Sequence, residues 1–182
     1  TIMIAKILSD LMPENSFAAL PVSDEITQKL VQDPLIKVVS FTGSDRVGWH
    51  IQKLAHKKKT ILELGSTASC IIDNNIEFST IADSIVSAAI SNNGQSCISL
   101  QKLYVPSKDF KEIFKMLSKK FSKLKVGDPM DPNSDLGPLI SKEYAQELWQ
   151  KLEVKPKTEI NNNLMPAVLL KDLDAEHYFN VN

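Results

Sequence analysis

The sequence predicts an α/β fold with a largely parallel sheet, and three observations carry that prediction. Short runs of β-branched and aliphatic residues alternate with amphipathic segments long enough to serve as crossovers. Caps, prolines and glycine turns separate the two kinds of segment. Of the 182 residues, 43% are apolar and 24% charged, which suits a chain that buries a core.

Each element has its own local reason. Ile4, Leu8 and Leu11 recur at helical spacing, and Pro13 ends that helix. Phe17 to Leu20 reads as a short strand stopped by Pro21. Ser23 caps a second helix carrying Ile26, Leu30 and Val31, with Asp24 and Glu25 in the first turn, where the helix dipole favours them. Lys37 to Phe41 is a strand by its β-branched content. After the Thr42-Gly43 turn, Ser44 caps a helix with Val47, Ile51, Leu54 and Ala55 on one face. Ile61 to Leu64 and Cys70 to Ile72 are further strands. Phe78, Ile81, Ile85, Ala88 and Ala89 mark a helix ending near Asn92-Asn93-Gly94. A strand follows at Lys102 to Val105, and Ser107 caps a helix bearing Phe110, Phe114, Leu117, Phe121 and Leu124. Residues 127–138 read as loop, with Pro129, Pro132 and Pro138. Ser141 begins a last helix with Ala145, Leu148, Trp149 and Leu152. The stretch Thr60 to Leu64 is the expected boundary between two sheets.

Composition narrows the function classes. Lys and Arg total 21 against 22 Asp and Glu, so the net charge of −1 argues against a nucleic-acid footprint or a polybasic membrane patch. The longest apolar runs, such as Ala167 to Leu170, span four residues, too few to cross a bilayer. Two cysteines, Cys70 and Cys97, are too few for a disulfide scaffold, so a cytoplasmic setting is expected. The opening Thr1 to Lys6 lacks a charged leader, and the chain reads as a segment of a longer protein.

Three places can carry chemistry. In Phe41-Thr42-Gly43-Ser44-Asp45-Arg46-Val47-Gly48, a glycine between a strand and a helix N-terminus suits an anion, with the Ser44 hydroxyl as a further donor. A tight strand-to-helix turn shows the same pattern, and the segment is neither a P-loop nor GxGxxG. Cys97 follows a helix at a glycine turn, where a thiol can face a cleft; a small buried hydrophobe is the plainer role, and Cys70 in its apolar strand fits that role better. Glu63, amid apolar residues at a strand end, suits a desolvated general base, or else an outward-facing strand position. Gly65 beside it lets backbone approach a ligand. His50, His56 and His177 have no metal-ligand spacing, and no metal site is expected. Lys57-Lys58-Lys59 reads as a solvated helix end.

Together the motifs resemble the NAD(P)-dependent aldehyde dehydrogenase superfamily. The resemblance rests on Phe41-Thr42-Gly43-Ser44 with Val47-Gly48, then Leu62-Glu63-Leu64-Gly65, then Asn93-Gly94-Gln95-Ser96-Cys97. It continues through Lys125-Val126-Gly127-Asp128-Pro129 and Gly137-Pro138-Leu139-Ile140-Ser141. It implies a three-layer architecture, with residues 1–59 ending a Rossmann-like cofactor domain and 60–182 forming a truncated catalytic domain. It implies Cys97 as nucleophile and Glu63 as general base. Phe41, Thr42, Gly43, Ser44, Val47, Gly48, Leu64 and Gly65 would meet NAD or NADP, and the substrate would be a small aldehyde. The complete protein would be a homo-oligomer, with no nucleic-acid or membrane partner.

The resemblance places further cofactor and oxyanion contacts upstream of Thr1 and beyond Asn182. Ser66 stands where the family usually has a second glycine, the usual proline is absent from Thr67-Ala68-Ser69, and Lys151 to Lys157 is shortened. The competing reading is a catalytically incompetent relative that acts by binding or assembly. A cysteine hydrolase is a third class, disfavoured because no histidine stands in an evident base position.

Overall fold

The computed structural model describes residues 2–152 and 161–171. The chain separates into two compact units, Thr1–Leu64 and Gly65–Asn182. The strand at the expected boundary falls at the end of the first unit.

The first unit contains α1 (Ile2–Ser9), α2 (Asp24–Gln32), β1 (Val38–Gly43), α3 (Asp45–Ala55) and β2 (Lys59–Leu64). β1 and β2 pair in parallel, from Val38 opposite Lys59 to Gly43 opposite Leu64, with α3 as the crossover between them. The period-two pattern sets which side chains turn inward: Val39 and Phe41 are half-buried, while Val38 and Ser40 are exposed. They meet a small core of Val31, Ile51 and Ala55, to which Leu54 adds. Ser23 holds the N-cap position of α2, and Glu25 pairs with Lys29 one turn later at 2.8 Å.

Three expectations change here. Phe17 to Leu20 forms no strand: it is irregular, and Val22 N–H turns back to the Leu20 carbonyl at 2.9 Å. Two of its four residues are alanines and Pro21 follows, so β-propensity is weak. The first helix stops at Ser9, and Leu11 lies in the turn after it, bonded back to Leu8. Lys58 is no solvated cation. Its ammonium donates to the carbonyls of Val31 and Asp33, both at 2.5 Å, and so caps the end of α2.

The second unit contains β3 (Ala68–Ile71), α4 (Phe78–Ile90), β4 (Leu100–Tyr104), α5 (Phe110–Phe121) and α6 (Lys142–Lys151). β3 and β4 are also parallel, with a register irregularity between Ala68 and Ser69. Ile72, Phe78, Ala82, Val86, Ile113 and Leu117 form the core, joined by half-buried Cys70, Leu103 and Phe121. Along α4 and α5 the inward stripe is Phe78, Ala82 and Val86 with Ile113 and Leu117, one position round from the expected Ile81, Ile85, Phe110 and Phe114, which are half-buried, while the expected Ala88 is exposed. Ser107 does not cap α5, however. It lies in a turn, and Asp109 occupies the cap position before Phe110. Ser141 does cap α6, accepting from Tyr144 N–H at 3.1 Å. Parallel strand pairs carrying helices give the α/β class that the sequence predicted.

Candidate active site

In the first unit the chemistry-bearing residues gather where β1 and β2 end. β1 runs out at Gly43, Ser44 takes the N-cap position of α3, and the Ser44 hydroxyl makes no capping bond. The parallel strand, the glycine and the helix N-terminus therefore fall in the expected order. The bare face of Gly43 is used internally, because a Cβ there would lie 2.5 Å from the tip of the Phe41 ring. Gly48 is also a packing requirement. It is buried, and a Cβ on it would meet Leu64 Cδ2 at 2.3 Å. Val47 is exposed on the same helix. Glu63 sits opposite Thr42 in the ladder and is exposed, so of its two readings the outward-facing strand position is the one this structure has. Strand alternation explains this: Leu62 and Leu64 take the inward positions.

In the second unit, α4 ends in a tight 3₁₀ turn, Ser91–Gly94, whose last three residues have left-handed backbones. The φ values are 51° at Asn92, 57° at Asn93 and 69° at Gly94. Asn and Gly are the residue types that enter this region at least cost, which is why this sequence can turn so sharply here. The turn delivers Gln95, Ser96 and then Cys97, whose thiol is free and exposed. Ser99, only 2% exposed, anchors the far side by donating its hydroxyl to the Ser91 carbonyl at 3.0 Å. The Ser66 hydroxyl, just after the second unit begins, donates to the carbonyl of Cys97 itself. Gly65 is open, with nothing within 4 Å of where a Cβ would stand.

The turn is also tied to the distant Gly137-Pro138-Leu139-Ile140 segment. Asn93 accepts from Gly137 N–H at 2.9 Å and donates to the Pro138 carbonyl at 3.0 Å. Gln95 accepts from Ile140 N–H at 3.0 Å. Sequence reasoning marked both blocks but did not link them. The available signal was a pair of side-chain amides beside a glycine-proline segment rich in main-chain groups. Among the described residues, no group of His, Cys, Asp or Glu is arranged to hold a metal ion. No helix among them is long and apolar enough to cross a membrane. His177 and residues 153–157 of the segment expected to be shortened lie outside the described residues.

The sequence profile of the aldehyde dehydrogenase family matches residues 1–164. The chain belongs to the aldehyde dehydrogenase family. A benzaldehyde dehydrogenase of Bacillus subtilis is 33% identical over 155 residues, which are 83% of this chain and 32% of that protein. Aldehyde dehydrogenase 21 of Physcomitrella patens, solved with the reaction product succinate, superposes with a TM-score of 0.86 at 28% identity, covering 98% of this chain and 40% of that one. A succinic semialdehyde dehydrogenase of Streptococcus pyogenes, solved with NADP+, superposes with a TM-score of 0.75 at 30% identity, covering 82% and 33%. The chain thus spans about a third of the length of the curated aldehyde dehydrogenases it matches. The parallel strand pairs and their crossover helices are a portion of the aldehyde dehydrogenase fold.

Proposed function

We propose that the complete protein oxidises a small aldehyde to a carboxylate with hydride transfer to NAD or NADP, Cys97 serving as nucleophile and Glu63 as general base. The single observation that carries this reading is the exposed Cys97 thiol at the end of a left-handed turn, in a chain of this family. Residues 1–59 are read as the end of the cofactor domain and 60–182 as catalytic domain. A cytoplasmic setting accords with two unpaired cysteines.

The residues at the end of β1 fit a dinucleotide. An uncapped Ser44 hydroxyl and the first turn of an eleven-residue helix form a donor set suited to a pyrophosphate. Thr42, Gly43, Ser44 and Val47 would hold it from this unit, with Phe41 and Gly48 shaping the turn and Leu64 and Gly65 as further contacts. When bound, the dinucleotide supplies the hydride acceptor.

The chain's own steps follow from elementary chemistry. The Cys97 thiolate attacks the aldehyde carbon, an S–C bond forms, and the carbonyl π pair moves to oxygen. The backbone N–H of Cys97 is one donor available to that oxyanion. As the C–H electron pair departs, the carbonyl re-forms as a thioester on Cys97. Glu63 then takes a proton from water, the hydroxide adds, and the thiolate leaves as the carboxylate product is released.

The test is turnover of the full-length protein with small aldehydes and either dinucleotide, followed by absorbance of the reduced nicotinamide. Cys97→Ala should abolish it. Glu63→Gln should lower steady-state turnover by about 10²–10⁴-fold while sparing the first burst of reduced dinucleotide. No reduced dinucleotide from the unaltered protein, or a Cys97→Ala rate equal to it, would overturn the reading.

A further inference from the structure

Two side chains grip the turn that carries Cys97, and no step of the proposed reaction uses either. We propose that Asn93 and Gln95 are positioning residues, which set the place of the Cys97 thiol by fastening its turn to the main chain of Gly137 to Ile140. The proposal rests on the reading of Cys97 as nucleophile.

The argument starts from backbone chemistry. Three successive left-handed residues are a conformation that a chain keeps only when its surroundings over-determine it. The Asn93 amide spends both ends on consecutive residues, which fixes its orientation as well as its distance. Gln95 adds a third bond two residues further toward Cys97.

The segment they grip is itself held. Pro138 has no N–H, and Leu139 exchanges two bonds with Asn163, both at 2.8 Å, one through the Asn163 side chain and one through its carbonyl. Thus the main-chain donors of residues 137 to 140 all have partners: Asn93 for Gly137, Asn163 for Leu139 and Gln95 for Ile140. Upstream, Leu136 N–H bonds to the Lys125 carbonyl at 3.0 Å and Gly127 N–H to the Leu136 carbonyl at 2.9 Å. Leu136, just before this segment, and Leu139, within it, are buried. A turn fastened to such a wall has its exit direction set by the wall, and Cys97 lies two residues after the last fastening.

The experiment uses the full-length protein and three variants. Asn93→Gly removes the amide yet remains at ease in the left-handed region, so its effect reads the lost bonds rather than a strained turn. Gln95→Leu removes the acceptor at an exposed site, and Gln95→Glu restores it. Because a displacement of about 1 Å at a reacting atom costs about 10²-fold in rate, Asn93→Gly should lower kcat by about 10- to 100-fold. Its aldehyde KM should stay within about threefold, and Gln95→Glu should recover most of what Gln95→Leu loses. A merely structural role would not give that split or that rescue. Asn93→Gly and Gln95→Leu both within about twofold of the unaltered kcat would overturn the proposal, as would Gln95→Glu no better than Gln95→Leu. Should the unaltered protein turn over no aldehyde, the functional reading fails, and the clasp is judged instead by iodoacetamide alkylation. Asn93→Gly must then change the Cys97 rate by about threefold or more with Cys70 unchanged, and equal rates sink it.

Discussion

Ser66 shows how a single hydroxyl can reach the site from a distant part of the chain. It donates to the carbonyl of Cys97, 31 residues later, and so ties the peptide of the proposed nucleophile to the connector that follows β2. The resemblance implies glycine at this position, which would leave that carbonyl to other donors. A typical hydrogen bond is worth about 0.5–1.5 kcal/mol, so Ser66→Gly should reduce kcat by about 2- to 10-fold with little change in aldehyde KM. Steady-state kinetics of the full-length variant provides the check, and an unchanged kcat would leave this bond without a role in turnover. Motif order in the sequence singles out Cys97, Glu63, Gly43 and Ser44 as candidates. Their environment is not legible there: the sequence leaves Glu63 either desolvated or outward-facing, the structure exposes it, and the partner of Ser66 lies beyond the reach of any local pattern.

At the scale of elements, helices α2 to α6 are legible because they alternate apolar and polar positions at helical spacing, and β1 and β2 because β-branched or aliphatic runs fill them. Two expectations fail for different reasons. Phe17 to Leu20 had the apolar content of a strand but no partner to pair with, and Ser107 had the chemistry of a cap two residues too early. Where a cap does form, its consequences can be measured. Ser141 accepts from Tyr144 N–H, and replacing it with Ala should cost about 1 kcal/mol of stability. Beside it, the Glu143 carboxyl is held below its ordinary value, first by its own backbone N–H and then by the Ser141 hydroxyl. A depressed carboxylate contributes stability above the unfolded pKa of about 4.3, and the contribution is lost as pH falls through the lower folded value. The stability difference between the unaltered protein and Glu143→Gln should therefore be present near neutral pH and shrink on acidification below about pH 4. Urea melts across that range test it, and a difference independent of pH would remove Glu143 from the account.

For the whole molecule, two separate cores of unequal size matter more than the number of elements. The cluster of the first unit contains three buried side chains, Val31, Ile51 and Ala55, and α1 contributes none. Ile2, Met3, Ile4, Ile7 and Leu11 are between 62% and 80% exposed, an apolar helix and turn left open among the described residues. The second unit has a six-residue cluster of its own, and Leu136, Leu139, Ala145 and Leu152 are buried besides. Domains of about 60 residues bury only about 60% of the surface their unfolded chains expose, so a core this sparse falls short of the entropy cost of ordering the segment. Residues 1–64 expressed alone should therefore lack a cooperative melt, while 65–182 should show one. Circular dichroism with temperature on the two fragments decides the matter. A sharp transition in 1–64 would mean that its parallel pair and two packed helices suffice without further burial. Its absence in 65–182 would mean that the larger cluster, too, depends on contacts the rest of the chain provides.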